Sequence, residues 1–220
     1  MRLSAVALVA LVSLAGGARA ASISLDFDSV AGGSLANDAA AGTGLAFDFA
    51  AFLPELDAYG DPIPGSDAYR PDPAPVDAVR VGDPSPFGYG TAPSGPNALN
   101  ALDQGVLITF DGPKNLTQFS ITLDKSGFGF PGTFDVVIQD ESGAVLQSIV
   151  TQQSVPGFIA SFSGNLTGVR SIYLPGGAFY DDLHVETPEP GALLILAVAL
   201  GLLSSARWIA SSAGTLPRAS

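Results

Sequence analysis

The stretch from Gly105 to Gly127, GVLITFDGPKNLTQFSITLDKSG, decides the fold class. Val106, Leu107, Ile108 and Phe110 make a short apolar run closed by Asp111-Gly112-Pro113. Phe119, Ile121 and Leu123 then alternate with polar residues up to Lys125-Ser126-Gly127. β-branched and aromatic residues at period two, bounded by Gly, Pro and Asp, predict half-buried strands joined by turns. The pattern continues outward. Phe134, Val136 and Ile138 alternate, Asp140-Glu141-Ser142-Gly143 turns the chain into Ala144 to Val150, and apolar runs follow at 158–162, 169–174 and 179–185. Upstream, Leu45 to Phe49 and Ser22-Ile23-Ser24-Leu25-Asp26-Phe27-Asp28 alternate in the same way. Short strands at regular spacing predict an all-β fold, an antiparallel β-sandwich. Asn115-Leu116-Thr117 and Asn165-Leu166-Thr167 are read as turn residues.

Between Leu53 and Pro96 ten prolines punctuate the chain, and Tyr59, Tyr69, Phe87 and Tyr89 lie among them. Proline removes ladder donors and fixes φ, so residues 53–96 are expected to form one long loop with little regular structure. Its aromatics suit packing across the sheet better than full disorder.

The 220 residues carry a formal net charge of -12. From Ala21 to Glu186 only Arg70, Arg80, Lys114, Lys125 and Arg170 stand against twenty acids, a net charge of -15. Such a surface repels phosphate backbones and excludes nucleic acid as a partner. The absence of cysteine excludes disulfides, thiolate metal sites and thiol nucleophiles.

The two ends read as addresses. Met1-Arg2 gives a positive start, Leu3 to Ala15 is apolar apart from Ser4 and Ser13, and Ala18-Arg19-Ala20 places small residues where signal peptidase needs them. This is a cleavable secretory signal over residues 1–20, with cleavage expected after Ala20. At the other end Thr187-Pro188-Glu189-Pro190 abuts an uncharged run, a helix over about residues 191–206, ending at Arg207 and Trp208. At 1.5 Å per residue this helix reaches about 24 Å, and a snorkelling Arg207 with an interfacial Trp208 extends it across a bilayer.

A polar ectodomain, Pro188-Glu189-Pro190, an apolar helix and then arginine near the chain end together resemble the PEP-CTERM sorting signal of Gram-negative bacteria. The family's tails usually carry an arginine cluster directly after the helix, whereas here a single Arg207 precedes thirteen further residues. The resemblance implies processing by an exosortase, a membrane cysteine peptidase or transpeptidase, and an association with exopolysaccharide and biofilm. Residues 187–220 are then the sorting and anchor segment, and residues 21–186 the ectodomain.

Within the ectodomain, Leu25-Asp26-Phe27-Asp28, Ser94-Gly95-Pro96-Asn97-Ala98-Leu99, the turn after Val136, Gly168-Val169 and Phe179-Tyr180-Asp181-Asp182-Leu183 resemble the jelly-roll modules of many PEP-CTERM proteins and of galactose-binding-like carbohydrate-binding modules. The resemblance implies a jelly-roll-like sandwich whose first and last strands share a structural calcium ion. Strand parity turns Asp26 and Asp28 away from Leu25 and Phe27, and places Asp181 on the face of Phe179, Leu183 and Val185. Asp28 and Asp181 are the expected calcium ligands; the alternative is that they accept backbone hydrogen bonds at a sandwich rim. Asp181 and Asp182, adjacent on a strand, point to opposite faces and cannot flank one glycosidic bond. His184, the single histidine, is read as structural, and no nucleophile motif surrounds a serine. The expected function is that of a non-enzymatic surface or extracellular-matrix protein, exported, anchored through its tail and binding exopolysaccharide. A secreted polysaccharide-active enzyme and a purely structural module remain as alternatives.

Overall fold

The computed structural model describes residues 21–75, 77–83, 92–101, 104–125, 135–152, 155 and 157–188. Ser22–Thr187 forms a compact unit built on one sheet of mostly antiparallel strands. In chain order these are β1 (Ala21–Leu25), a 3-10 turn (Phe27–Ser29), a single helical turn α1 (Ala36–Ala39), β2 (Leu45–Leu53), β3 (Ala68–Pro71), β4 (Val81–Gly82), β5 (Ala98–Asn100), β6 (Val106–Lys125), β7 (Asp135–Asp140), β8 (Val145–Val150), β9 (Phe158–Leu174) and β10 (Ala178–Thr187). The antiparallel all-β class follows from the alternation described above. The predicted signal helix and C-terminal membrane helix lie outside the described residues, as do Ala18, Ala20, Glu189, Pro190 and Arg207. Among the described residues no helix is long and apolar enough to cross a membrane.

Two long strands organise the sheet. β6 and β9 pair along their whole length, from Val106↔Leu174 to Leu123↔Phe158, with register shifts between Thr109 and Gln118. Asp111-Gly112-Pro113 therefore does not end a strand, contrary to the expectation, and both Asn-Leu-Thr triplets lie inside strands rather than in turns, with Leu116 opposite Leu166. Turn-forming residues mark the bulges at which the paired strands bend. Asn115 Oδ1 accepts from the Gly168 N–H at 3.3 Å across this bend, and Lys114 pairs with Asp111 at 2.7 Å.

The bend divides the sheet into two arms. In the first, β2 and β9 flank the start of β6, β3 extends β2, and β7 and β8 extend β9. In the second, β10 and the start of β9 flank the end of β6, and β5 with β4 extends β10, which also pairs with β1. The bulges reverse side-chain parity: Val106, Ile108 and Phe110 face inward before the bend, and Phe119, Ile121 and Leu123 after it. One apolar cluster joins both arms, with Phe47, Phe110, Phe119, Ile138, Tyr180 and Val185 among its members. Burying such large side chains in one interior is the main driving term for a cysteine-free domain of this size.

The proline-rich segment is more ordered than its composition predicts. It supplies two edge strands, β3 and β4, and a bridge between Leu56 and Pro62. Val79 and Val81 are buried in the main cluster. Pro71 closes β3 on the side away from β2, where a missing N–H does no harm. Residues 76 and 84–91 lie outside the described set, Phe87 and Tyr89 included.

Candidate metal centre

The first strand ends earlier than its alternation predicts. β1 stops at Leu25, Asp26 caps the 3-10 turn by accepting the Asp28 N–H at 2.9 Å, and Phe27 plunges into the core with no exposure. Asp28 thus sits on a turn, and its direction is set by that turn instead of by strand parity.

The last strand also departs from the expected parity. Its register with β6 slips by one residue between Asp181 and His184, and Asp182 takes a positive φ of 50°. A residue other than glycine adopts that conformation at a bulge when the surroundings enforce it. Tyr180 therefore faces the core with Leu123 opposite it, while Asp181 shares the other face with Thr122 and Phe179. The expectation that Asp181 shares a face with Leu183 and Val185 is overturned by this bulge. Asp181 is nonetheless fully buried, because the 3-10 turn and the Ser94–Asn97 segment cover its face.

One carboxylate oxygen from each of Asp26, Asp28 and Asp181 lies within 4.8 Å of the others. Asp181 Oδ1 accepts from the Phe27 N–H at 3.1 Å and the Asp182 N–H at 2.8 Å, and its Oδ2 accepts from the Ser94 hydroxyl at 2.6 Å. Asp28 Oδ1 accepts from the Asn97 N–H at 3.2 Å. Asn97 is in turn anchored by its Nδ2, which donates to the Val30 carbonyl at 2.9 Å. A Cβ on Gly95 would stand 1.9 Å from Asp28 Oδ2, so glycine is required for the backbone to approach this carboxylate. Burial raises the Asp28 carboxyl above the usual range; the Asn97 N–H opposes this, and the charges of Asp181, Asp26 and Asp182 add to it. A cation relieves the repulsive part. The donor set is all oxygen and anionic, which fits a hard divalent ion and not a thiophilic one.

Of the two residues singled out in the sequence, Asp28 and Asp181 are thus brought together, for reasons that parity did not supply. Asp26, Ser94, Gly95 and Asn97 were not singled out for this role, although they stand in the Leu25-Asp26-Phe27-Asp28 and Ser94-Gly95-Pro96-Asn97 segments quoted above.

His184 ties neighbouring strands. Its Nδ1 lies 2.9 Å from Ser24 Oγ, and its Nε2 lies 3.2 Å from Glu186 Oε1. Hydroxyl, ring and carboxylate are all at least partly exposed on the outer side of β1 and β10, which suits a surface tie.

No family model and no curated protein matches the chain. Among solved structures, the catalytic domain of a GH87 alpha-1,3-glucanase variant in complex with nigerose aligns at 12% identity and a TM-score of 0.34, over 80% of this chain and 29% of that one. The chain thus spans less than a third of that structure's length, and a likeness of this size carries no argument about fold or activity.

Proposed function

We propose that this chain is a non-enzymatic, exported surface or extracellular-matrix protein. Signal peptidase removes residues 1–20, and an exosortase-type membrane peptidase acts at Pro188-Glu189-Pro190, leaving a jelly-roll-like module at the cell surface or in the matrix, where it binds extracellular polysaccharide. The observation that carries this reading is positional: the compact β unit ends at Thr187, and the Pro-Glu-Pro sequence follows it without a spacer. A sorting signal must be reachable by a membrane enzyme, and segments beyond the end of a folded unit are where such processing concentrates.

The acidic cluster is proposed to hold calcium. It ties the exit of β1 to β10 and so clamps the first described strand to the last. Asp26, Asp28 and Asp181 supply anionic oxygens, with water and backbone completing the six to eight that calcium takes.

Expression of the full chain with Glu189→Ala tests the sorting reading. The tail should stay attached in the variant and be released in the parent; equal processing of both refutes it. Incubation with polysaccharides should show binding without turnover, and release of reducing ends would establish the enzyme reading instead.

A further inference from the structure

The sheet of the first arm ends at β8, and among the described residues no strand pairs with its far side. A sheet edge presents backbone N–H and C=O groups to whatever comes next, and native edges are usually blunted by charge, proline or shortness. The other edges follow that rule. β3 carries Arg70 and ends in Pro71, β4 has two residues and follows Arg80, and β1 runs into Asp26 and Asp28. β8 has none of these devices. Val145-Leu146-Gln147-Ser148-Ile149-Val150 is six residues of strand without charge, proline or glycine, and its register shift falls at its start, beside Gln139.

Charge singles out the same edge independently. In a chain of net charge -12, no charged residue stands between Glu141 and Arg170. Val136 and Ile138 of β7 point into the core, so the residues opposite Gln139, Val137 and Asp135 face outward: Val145, Ser148 and Val150. The two valines are 61% and 58% exposed, and the Ser148 hydroxyl donates to the Asp135 carboxylate.

We infer that β8 is a self-association edge: it pairs antiparallel with β8 of a second copy of this chain, about a two-fold axis, and continues the sheet from one subunit into the next. Two acidic domains repel, and they meet closely only where charge is missing. A two-fold pair also needs a surface complementary to itself. Antiparallel uncharged strands meet that condition, each supplying backbone donors and acceptors to the other. Asp135 and Asp140 stand on β7, one strand in from the edge. The two β7 backbones of the pair therefore lie three strand spacings apart, about 14 Å. That exceeds the about 8 Å over which exposed charges act at physiological salt. Glu141 lies in the turn before β8, and the two-fold axis carries the two copies of that turn to opposite ends of the pair. Six paired residues fall short of the roughly 20–30 a side of a standard interface, so the pair is weak, with a dissociation constant on the order of micromolar or above.

Sedimentation equilibrium of the purified full chain tests this, in a density-matched mild detergent that keeps the apolar tail from contributing. The parent should pass from monomer to dimer as concentration rises. The dimer should hold or tighten with added salt, because screening weakens the net repulsion and no ion pair is lost. Antiparallel pairing sets the Val145 end of one strand beside the Val150 end of the other. Val145→Lys/Val150→Lys should therefore weaken association about two- to thirtyfold, since like charges meet twice by symmetry, and Val145→Lys/Val150→Glu should restore it. Both positions are more than half exposed, so unfolding midpoints should stay near the parent's. A chain that stays monomeric throughout overturns the proposal, and so does a dimer that dissociates in salt. A dimer indifferent to the double-lysine variant, or a lysine–glutamate variant that associates no better than the double-lysine one, overturns it as well.

Discussion

Replacement of Asp181 by alanine tests the reading of the acidic site most directly. The carboxylate is fully buried and accepts three hydrogen bonds, from Phe27 N–H, Asp182 N–H and the Ser94 hydroxyl. After truncation the hydroxyl can turn elsewhere and the Asp182 N–H, on an exposed residue, can reach water. The Phe27 N–H belongs to a residue with no exposure and is stranded. Losing charge-assisted bonds and orphaning one buried donor costs about 3–5 kcal/mol. Relief of repulsion with Asp26 and Asp28 offsets part of this, leaving a net loss of about 2–4 kcal/mol, or roughly 4–16 °C in Tm for a domain of this size. Asp181→Asn keeps an acceptor for both N–H groups and should lose about 1–2 kcal/mol. Unfolding in urea should be followed by far-UV circular dichroism, since the sole tryptophan, Trp208, lies outside the β unit. The melts are run in calcium and in a chelator. The parent should gain stability with calcium and Asp181→Ala should not. An alanine variant within about 0.5 kcal/mol of the parent in the chelator would refute the structural part of this reasoning, because that is the ordinary scatter of surface substitutions. A parent whose Tm ignores calcium in large excess would remove the cation.

Two further perturbations probe the frame of the sheet. Asp140 Oδ1 accepts from the Ser142 hydroxyl at 2.7 Å, the Ser142 N–H at 2.9 Å and the Ala144 N–H at 3.0 Å, and these hold its carboxyl below the usual range, the Ser142 hydroxyl foremost. Its contribution to stability is therefore full above about pH 4 and disappears as the pH falls through the lowered value; Asp140→Ala should lose about 1 kcal/mol at neutral pH and flatten that acid limb in pH-dependent melts. Tyr180, fully buried, donates to the Pro175 carbonyl at 2.6 Å, and burial holds its hydroxyl well above the ordinary tyrosine range. Tyr180→Phe should lose about 1–2 kcal/mol by orphaning that carbonyl, and unchanged chemical denaturation would show that water replaces the hydroxyl.

The strand alternation of the 105–127 stretch, and of its neighbours on either side, was legible because side chains on a half-buried sheet repeat every two residues whatever the topology. The β7–β8 turn was equally legible from Asp140-Glu141-Ser142-Gly143, since an aspartate cap and a positive-φ glycine act within a few residues; Gly143 has a φ of 88°. The addresses proposed for the chain ends are likewise readings of linear patterns, and they lie outside the described residues. What local pattern leaves undetermined is where a strand bends. Asp111-Gly112-Pro113 and the Asn-Leu-Thr triplets have turn chemistry, and only their pairing across β6 and β9 turns them into a sheet corner instead of two chain reversals.

The candidate site divides in the same way. Acidic side chains near both ends of the domain are visible in the chain, but their convergence depends on the 3-10 turn at Phe27 and the bulge at Asp182, each of which breaks the parity on which a linear reading relies. The Ser94–Asn97 cover and the stacking of Tyr69 on Tyr173 require partners that are distant in sequence. Sequence alone determined the β class, because that rests on local periodicity. Tertiary structure decided which carboxylates meet and which faces are buried, because a one-residue slip in register reverses every face that follows it.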